Sequence, residues 1–197
     1  PAVIEDTTLP TPQSSYGIQK FIGEQLVADY ARKGFVRGRN VRLMTVSVRP
    51  GRPNGAASSC LSGMIREPLA GMPAACPVPE DVPVALSSPG RTIEGLIRAA
   101  TVSDTDWGPL TAMNLPALRT SVGEMAAALG RVAGSAATSL LDWTPDPAIH
   151  RVVSSWPGNI AASRASALGL LPDTDFEAVI RDYIRENPDA IRLPVQP

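Results

Sequence analysis

The chain has 197 residues, 44% of them hydrophobic, and a formal net charge of −1 at pH 7. That length and apolar content allow one large domain or two small ones with a hydrophobic core, while the scattered arginines lack the basic stripe of a nucleic-acid surface. No apolar run reaches the length of a membrane-spanning helix, no signal peptide is visible, and two cysteines are too few for a disulfide framework, so we expect a cytoplasmic protein with reduced thiols.

The first predicted helix covers residues 14–34 and follows a proline-punctuated loop. Its apolar residues recur at helical spacing, at Ile18, Phe21, Ile22, Leu26 and Tyr30. Gly34 is a natural stop at its C-terminal end. The first turns of this helix carry the most informative residues of the chain.

Tyr16 and Lys20 lie four residues apart, which places the phenol and the ammonium on one face of the helix, one turn apart. A phenol beside a fixed positive charge gives up its proton more readily, because the charge favours the phenolate. Such a group accepts a proton from an alcohol being oxidised or donates one to a carbonyl being reduced. The spacing equally allows an ordinary helix-start tyrosine beside a Lys20–Glu24 ion pair.

A buried strand is predicted over residues 41–48, followed by a loop over residues 49–54. The loop comes after the carboxyl end of a presumed parallel strand, where open α/β sheets bind ligands. Arg49, Arg52 and Asn54 suit a carboxylate or phosphate, and Ser58 and Ser59 add hydroxyls. A rigid proline turn with solvated arginines is the competing interpretation. Arg66 and Arg91, further along, are each interpreted as surface residues.

The remaining sequence alternates strands and helices, which predicts an α/β architecture with a mostly parallel sheet. Helices are expected near 56–67, 91–101, 121–133, 160–168 and 176–185, and strands near 82–86, 111–115 and 139–143. Ser121 and Glu124 form a capping-box pattern, and Asp175 is a plausible cap for the last helix. The last third is richer in helices, which suggests a smaller lobe.

Several other kinds of site are excluded or disfavoured. His150 is the only histidine, and without a Gly-x-Ser-x-Gly elbow it is interpreted as a polar residue of its segment. One histidine and two distant cysteines do not make a zinc site, so no metal is expected. The carboxylates of Asp142 and Asp146 sit in a proline-rich turn and are poor acid/base candidates. No glycine-rich nucleotide loop is present, so a nucleotide-dependent enzyme would carry that loop elsewhere.

The chain resembles the extended short-chain dehydrogenase/reductases, which form the NAD-dependent epimerase/dehydratase superfamily. The superfamily signal is Tyr16-x-x-x-Lys20, with the Pro50–Gly51 loop and the Asn114 strand at fitting distances. The resemblance is strongest to the D-erythronate dehydrogenase branch. That narrower match rests on Arg49-Pro50-Gly51-Arg52-Pro53-Asn54, Arg66-Glu67-Pro68-Leu69, Ser155-Trp156-Pro157, Ala165 and Leu168-Gly169.

The resemblance implies a Rossmann-like sheet that binds NAD, formed by 1–55 and 85–117, with a smaller α+β substrate lobe formed by 56–84 and 118–197. Tyr16 would be the general acid/base, and Lys20 would favour its phenolate and hydrogen-bond the nicotinamide ribose. Pro50 and Gly51 would line the nicotinamide end of the cofactor. The substrate would be a small sugar acid oxidised at its 2-hydroxyl, and its binding residues would be Arg52, Asn54, Ser58 and Arg91. The 14–34 helix would join a homodimer.

The chain departs from the family pattern at two points. The family's glycine-rich loop and catalytic Ser or Thr lie upstream of Tyr16, so we expect this chain to be the C-terminal part of an enzyme. Gly90 stands where the erythronate branch is expected to carry an arginine, so either Arg91 replaces it or the substrate differs. A nucleotide-sugar epimerase or dehydratase, and a non-catalytic dinucleotide-binding relative, therefore remain alternatives.

Overall fold

A computed structural model describes residues 3–52 and 54–196. Pro53, in the predicted ligand-binding loop, and the end residues Pro1, Ala2 and Pro197 lie outside the described residues. The helices are α1 (Ser15–Arg32), α2 (Ser59–Leu69), α3 (Pro89–Thr101), α4 (Asp104–Trp107), α5 (Val122–Thr138), α6 (Pro147–Val153), α7 (Ser163–Ala167) and α8 (Phe176–Glu186). The strands are β1 (Val41–Arg42), β2 (Thr45–Val46), β3 (Ala74–Ala75), β4 (Pro83–Ser87), β5 (Met113–Asn114), β6 (Leu118–Ser121) and β7 (Leu141–Asp142).

The described strands form three small sheets that are mostly parallel, as predicted. β1 pairs with β5 and β3 pairs with β7, both in parallel. In the third sheet β4 lies between β2, which is parallel to it, and β6, which is antiparallel. The predicted single strand over 41–48 is wrong in its continuity, because the chain changes partner from β5 to β4 between Arg42 and Thr45.

Local capping determines where several helices begin. The capping box at Ser121 and Glu124 is present at the start of α5, and Asp175 caps α8 by accepting from the backbone N–H of Ala178. Asp146 is the N-cap of α6, where its Oδ1 accepts from Ala148 N at 2.8 Å and Ile149 N at 3.1 Å. This carboxylate therefore stabilises a helix start, and a capped helix follows where the sequence predicts only a proline-rich turn.

Two apolar clusters hold the described elements together. The larger cluster joins α2, α5 and α8 to β4, with fully buried members such as Leu61, Ile65, Leu86, Leu129 and Ile180. The smaller cluster contains Ala99, Trp107, Met113, Leu115, Ala165 and Leu170. Arg164 ties this second cluster together, since its guanidinium donates to four backbone carbonyls between Trp107 and Ala112. Within residues 3–52 and 54–196, no helix is long and apolar enough to cross a membrane.

Candidate active site

The start of α1 places Tyr16 and Lys20 side by side. The hydroxyl of Ser14 accepts a hydrogen bond from Gly17 N at 3.1 Å, which caps the helix and fixes its first turn. The Lys20 ammonium lies 5.4 Å from the centroid of the Tyr16 ring, within cation–π range. Tyr16 is 71% exposed, so its ring is open to a ligand. The predicted shared face of the helix is therefore confirmed.

Glu24 is not the partner of Lys20. Its carboxylate accepts from Arg42 twice, with Oε1 at 2.7 Å from Nη2 and Oε2 at 3.0 Å from Nε. This two-point ion pair fastens α1 to the β1 strand, while the backbone carbonyl of Glu24 accepts from Asn40. The ordinary i,i+4 ion pair, which was the competing interpretation of the sequence, is therefore not the one that the structure forms.

The loop after β2 lies at the carboxyl edge of a parallel strand pair, as predicted. We call its described residues, 49–52 and 54, the ligand loop. Ser47 N donates to Ser87 O at 3.1 Å, immediately beyond the paired ends of β2 and β4. The chain then leaves β4 into α3, whose first turn holds Arg91. The ligand loop and Arg91 therefore start from the same edge of the sheet, where open α/β sheets bind ligands.

Most residues of the ligand loop are exposed to solvent. Pro50, Gly51 and Arg52 are exposed, and Gly51 has φ of +107°, a conformation that favours glycine. The side chain of Asn54 is engaged locally, since its Oδ1 accepts from Ala56 N at 3.0 Å. Ser58 is half-buried at the start of α2 and makes no side-chain capping bond there. Arg52 is therefore the loop cation best placed to meet an anion.

The sequence predicts both further arginines, Arg91 and Arg66, to lie at the surface, and the structure buries them to different extents. Arg91 is half-buried, and its Nη1 donates to Glu94 Oε2 at 2.8 Å on the same helix, so a carboxylate already shares its charge. Arg66 is only 8% exposed, so its interpretation as a surface residue is wrong. The adjacent Glu67 makes its burial possible, because Oε1 accepts from Arg66 Nη2 at 2.5 Å and neutralises the buried charge.

Within the described part of the chain, no hydrogen bond or ion pair joins Tyr16 or Lys20 to the ligand loop, Ser58 or Arg91. The contacts of the ligand loop run to α2 instead. Ser62, which the sequence analysis passed over, accepts from Arg49 N at 3.2 Å. Ser59, Ser62 and Arg66 are spaced three and then four residues apart. This spacing indicates, from the sequence alone, a polar helix face behind the loop.

Burial controls the ionisable groups around α2. Desolvation raises the pKa of the Tyr183 hydroxyl, with Arg66 lowering it and Glu67 raising it to smaller extents. Cys60 and Cys76 are both free thiols, as expected for reduced cysteines. Desolvation raises the pKa of Cys60, and it raises the pKa of Cys76 to about 12. Neither thiol is therefore a nucleophile near neutral pH.

Sequence comparison identifies relatives over most of this chain. Residues 1–84 match the profile of the NAD dependent epimerase/dehydratase family. The chain is 45% identical over 186 residues to a D-erythronate dehydrogenase of Cupriavidus necator, covering 94% of this chain and 57% of that protein. It is 42% identical over 184 residues to a D-erythronate dehydrogenase of Haemophilus influenzae, covering 93% and 58%. The chain thus spans less than two thirds of the length of these relatives.

Solved structures show the same fold. A nucleoside-diphosphate-sugar epimerase from Agrobacterium tumefaciens superposes with a TM-score of 0.91 at 38% identity, covering 96% of this chain and 56% of that one. An L-threonine 3-dehydrogenase from Trypanosoma brucei superposes with a TM-score of 0.83 at 22% identity, covering 99% and 60%, and shows the fold alone. The chain therefore has a Rossmann-like α/β fold, and it is similar to proteins of the NAD-dependent epimerase/dehydratase superfamily.

Proposed function

We propose that the full-length protein, meaning this chain with any sequence that precedes it, is an NAD-dependent dehydrogenase that oxidises the 2-hydroxyl of a small sugar acid such as D-erythronate. The observation that carries the proposal is the exposed phenol of Tyr16 with the Lys20 ammonium 5.4 Å from its ring centroid. The identities of 42–45% to two D-erythronate dehydrogenases, over nearly the whole of this chain, support the substrate class.

Tyr16 is the proposed acid/base. Oxidation of a secondary alcohol releases a proton from the hydroxyl and a hydride from the adjacent carbon. The Tyr16 oxygen takes the proton, and the Lys20 ammonium lies beside its ring. When bound, NAD supplies the acceptor for the hydride. The exposure of the Tyr16 ring leaves room for a substrate hydroxyl at hydrogen-bond distance.

The residues present suit the nicotinamide end of the cofactor. A Cβ added to Gly51 would meet no atom within 4 Å, and the exposed loop backbone at Pro50 and Gly51 has space for a flat ring beside it. Lys20 has donors to spare for a ribose hydroxyl, since a lysine ammonium carries three. These three residues would hold the nicotinamide and its ribose.

The ligand loop is the proposed site for the substrate carboxylate. Arg52 offers an exposed guanidinium that can bind a carboxylate at two points. Ser58 adds a hydroxyl, whereas Asn54 would use its remaining amide donors because its Oδ1 is engaged with Ala56 N. Arg91 would share its charge between the substrate and Glu94. We propose this set as the binding residues of a small anionic substrate.

A nucleotide-sugar epimerase or dehydratase is the second candidate. The specific observation in its favour is the 38% identity and TM-score of 0.91 to the Agrobacterium nucleoside-diphosphate-sugar epimerase. Gly90 also allows it, because a Cβ there would have its nearest neighbour, Ser88 Oγ, at 3.9 Å, which leaves space for a larger substrate. A dinucleotide-binding relative without catalysis would keep the fold but show no turnover.

We also propose a homodimer formed through α1. No residue of this 18-residue helix is buried. Ile18, Ile22 and Leu26 recur every fourth residue and are each roughly half exposed, so they form an apolar stripe on one side. At about 100° per residue, Ile18, Ile22 and Leu26 lie roughly 160°, 120° and 80° around the helix from Tyr16, so a partner helix packed over Ile18 and Ile22 can leave the phenol uncovered.

Two further proposals follow from the family comparison. We propose that 1–55 and 85–117 belong to the cofactor-binding unit and that 56–84 and 118–197 form the substrate lobe. The pairing of β1 with β5 and the packing of α2, α5 and α8 support this division, and β4 bridges the two. The reaction is proposed to occur in the cytoplasm, which the two free thiols favour.

The test is a substrate comparison with the full-length protein. NADH formation would be followed with D-erythronate and L-threonate, each with NAD. Conversion of a UDP-sugar would be followed by chromatography of its product, because an epimerase or dehydratase returns the hydride to the product and releases no NADH. We expect D-erythronate to be oxidised with the highest kcat/KM. Turnover of the UDP-sugar alone would replace the sugar-acid proposal with the epimerase one. NADH binding without turnover of any of the three would favour the non-catalytic relative.

A further inference from the structure

One face of α2 holds the backbone of the ligand loop at both ends. Ser62 Oγ accepts from Arg49 N at 3.2 Å, and Arg66 Nη1 donates to Arg49 O at 2.9 Å. At the other end, Ser59 Oγ accepts from Asn54 N at 3.2 Å. These three side chains follow one another at intervals of three and four residues, so they share a face of the helix. Three hydrogen bonds from a single face therefore span the loop.

This polar face is buried within the larger apolar cluster. Ser62 is 1% exposed and Arg66 is 8% exposed, while their helix neighbours Leu61 and Ile65 are fully buried. A buried hydroxyl or guanidinium is costly unless it is hydrogen-bonded. The charge of Arg66 is balanced by Glu67, at 2.5 Å. Because such a buried ion pair is often no more stabilising than apolar side chains of the same volume, overall stability is a weak explanation for it.

The polar face of α2 hydrogen-bonds the backbone of the ligand loop and leaves the loop's side chains free. Both hydrogen-bonding groups of the Arg49 peptide backbone are used, its N–H and its carbonyl. Between the two held ends, Pro50, Gly51 and Arg52 remain exposed. A loop with fixed ends and free functional groups presents them in a limited set of positions. Reactions of bound substrates are sensitive to such positioning, since a displacement of about 1 Å can cost about 10²-fold in rate.

We infer that Ser59, Ser62 and Arg66 are positioning residues that hold the ligand loop in its binding geometry for the sugar-acid carboxylate and the nicotinamide. This inference rests on the proposed function, because it assigns a purpose to the loop. The three residues touch neither substrate nor cofactor and act through the loop backbone. Their removal therefore loosens Arg52 and Gly51 without removing any group from the site.

The experiment uses the full-length protein with Ser62→Ala and, as a matched control, Thr120→Val. Thr120 is also buried and donates its hydroxyl hydrogen bond to Glu124, away from the loop. Hydrogen exchange of peptides covering residues 49–54 is measured without ligand, beside the thermal midpoint and the kinetics. We expect Ser62→Ala to speed exchange in these peptides about two- to tenfold, as loss of one hydrogen bond predicts, and Thr120→Val to leave it unchanged.

The kinetics separate positioning from stability. A variant that is merely less folded shows a lower apparent kcat with an unchanged KM. A loosened loop instead raises the KM for the sugar acid, which we expect to rise about two- to tenfold in Ser62→Ala, in line with the loss of one hydrogen bond. Arg66→Lys keeps a charged donor and is expected to recover part of the loss seen in Arg66→Met. If Arg66→Met fails to fold, the comparison of Ser62→Ala with Thr120→Val still tests whether α2 positions the ligand loop.

The inference and the proposed function fail in different ways. Equal loop exchange in Ser62→Ala and wild type overturns the inference, whatever the substrate proves to be. An unchanged KM in Ser62→Ala, in a wild-type enzyme that oxidises the sugar acid, also overturns it. Turnover of none of the tested substrates overturns the proposed function, and loop exchange then decides whether α2 holds the loop.

Discussion

The guanidinium of Arg66 donates to the carbonyl oxygen of Arg49 at 2.9 Å, across 17 residues of sequence. The contact joins α2, deep in the larger apolar cluster, to the first residue of the ligand loop. Tyr16 and Lys20, by contrast, meet within two turns of one helix. The candidate site therefore combines a pair set by local helical geometry with a loop set by a buried, long-range contact.

Removal of the Tyr16 hydroxyl should abolish most of the activity. In the full-length protein, Tyr16→Phe is expected to lower kcat by about 10²–10⁴-fold, because the proposed proton acceptor is lost while the ring remains. Steady-state NADH formation measures the change. Tyr30→Phe is the matched control, since Tyr30 lies on the same helix and keeps its edge contact with Phe35 as phenylalanine. A near-normal rate for Tyr16→Phe would return Tyr16 to a structural role.

Lys20 is expected to affect both binding and turnover. Lys20→Met should weaken NADH binding about tenfold or more, as the loss of a charge-assisted hydrogen bond of roughly 1.5–3 kcal/mol predicts, and should lower kcat as well. Lys20→Arg keeps the charge but not the compact ammonium, so it should recover only part of both. Fluorescence titration with NADH measures the binding.

The matched control for Lys20 is Lys33, the C-cap residue of α1. Lys33 forms an ion pair with Asp29 at 2.8 Å, and Lys33→Met should leave NADH binding and kcat unchanged. If Lys20→Met binds NADH as wild type does, Lys20 does not contact the cofactor ribose.

The α1 stripe should determine the oligomeric state. Ile22→Arg places a charge in the middle of the proposed interface, and an unpaired charge in an apolar contact is strongly unfavourable. We expect the full-length protein to change from a dimer to a monomer, measured by light scattering after size-exclusion chromatography. Leu171→Arg, at an equally exposed apolar residue outside α1, should leave the dimer intact. A wild-type protein that is monomeric at every concentration tested would contradict the interface.

Cys76 should make stability depend on pH in the alkaline range. Burial raises the pKa of its thiol from 9.0 to about 12, so the folded state keeps the proton that the unfolded state releases. The stabilising contribution is therefore complete below pH 9 and is lost as the pH rises from 9 towards 12. The difference in unfolding free energy between wild type and Cys76→Ala should shrink over pH 8.5–10.5, measured by urea unfolding.

A variant without a titrating group separates this effect from general alkaline denaturation. Val78 is buried in the same cluster, and the difference between wild type and Val78→Ala should stay constant over the same pH range. A Cys76→Ala difference that also stays constant would show that the thiol titrates alike in the folded and unfolded states.

The predictions from sequence succeeded where the determining interactions are short-range. Ser121 and Glu124 form the capping box of α5, and Asp175 caps α8, both within three residues of their partners. They failed where a distant segment decides. The strand over 41–48 divides because β5 and β4, far along the chain, each pair with a different part of it.

The sequence by itself determined the helix that carries Tyr16 and Lys20 and the face they share, because a spacing of four residues and a serine cap are sufficient for both. Only the tertiary structure decided that Glu24 binds Arg42, that Arg66 is buried, and that α2 holds the ligand loop. Each of these depends on which apolar surfaces pack together, since burial makes an unpaired charge costly and so selects its partner. The contacts that join Glu24 to Arg42, and Ser62 and Arg66 to Arg49, link residues 13 to 18 positions apart, beyond the range of helical periodicity.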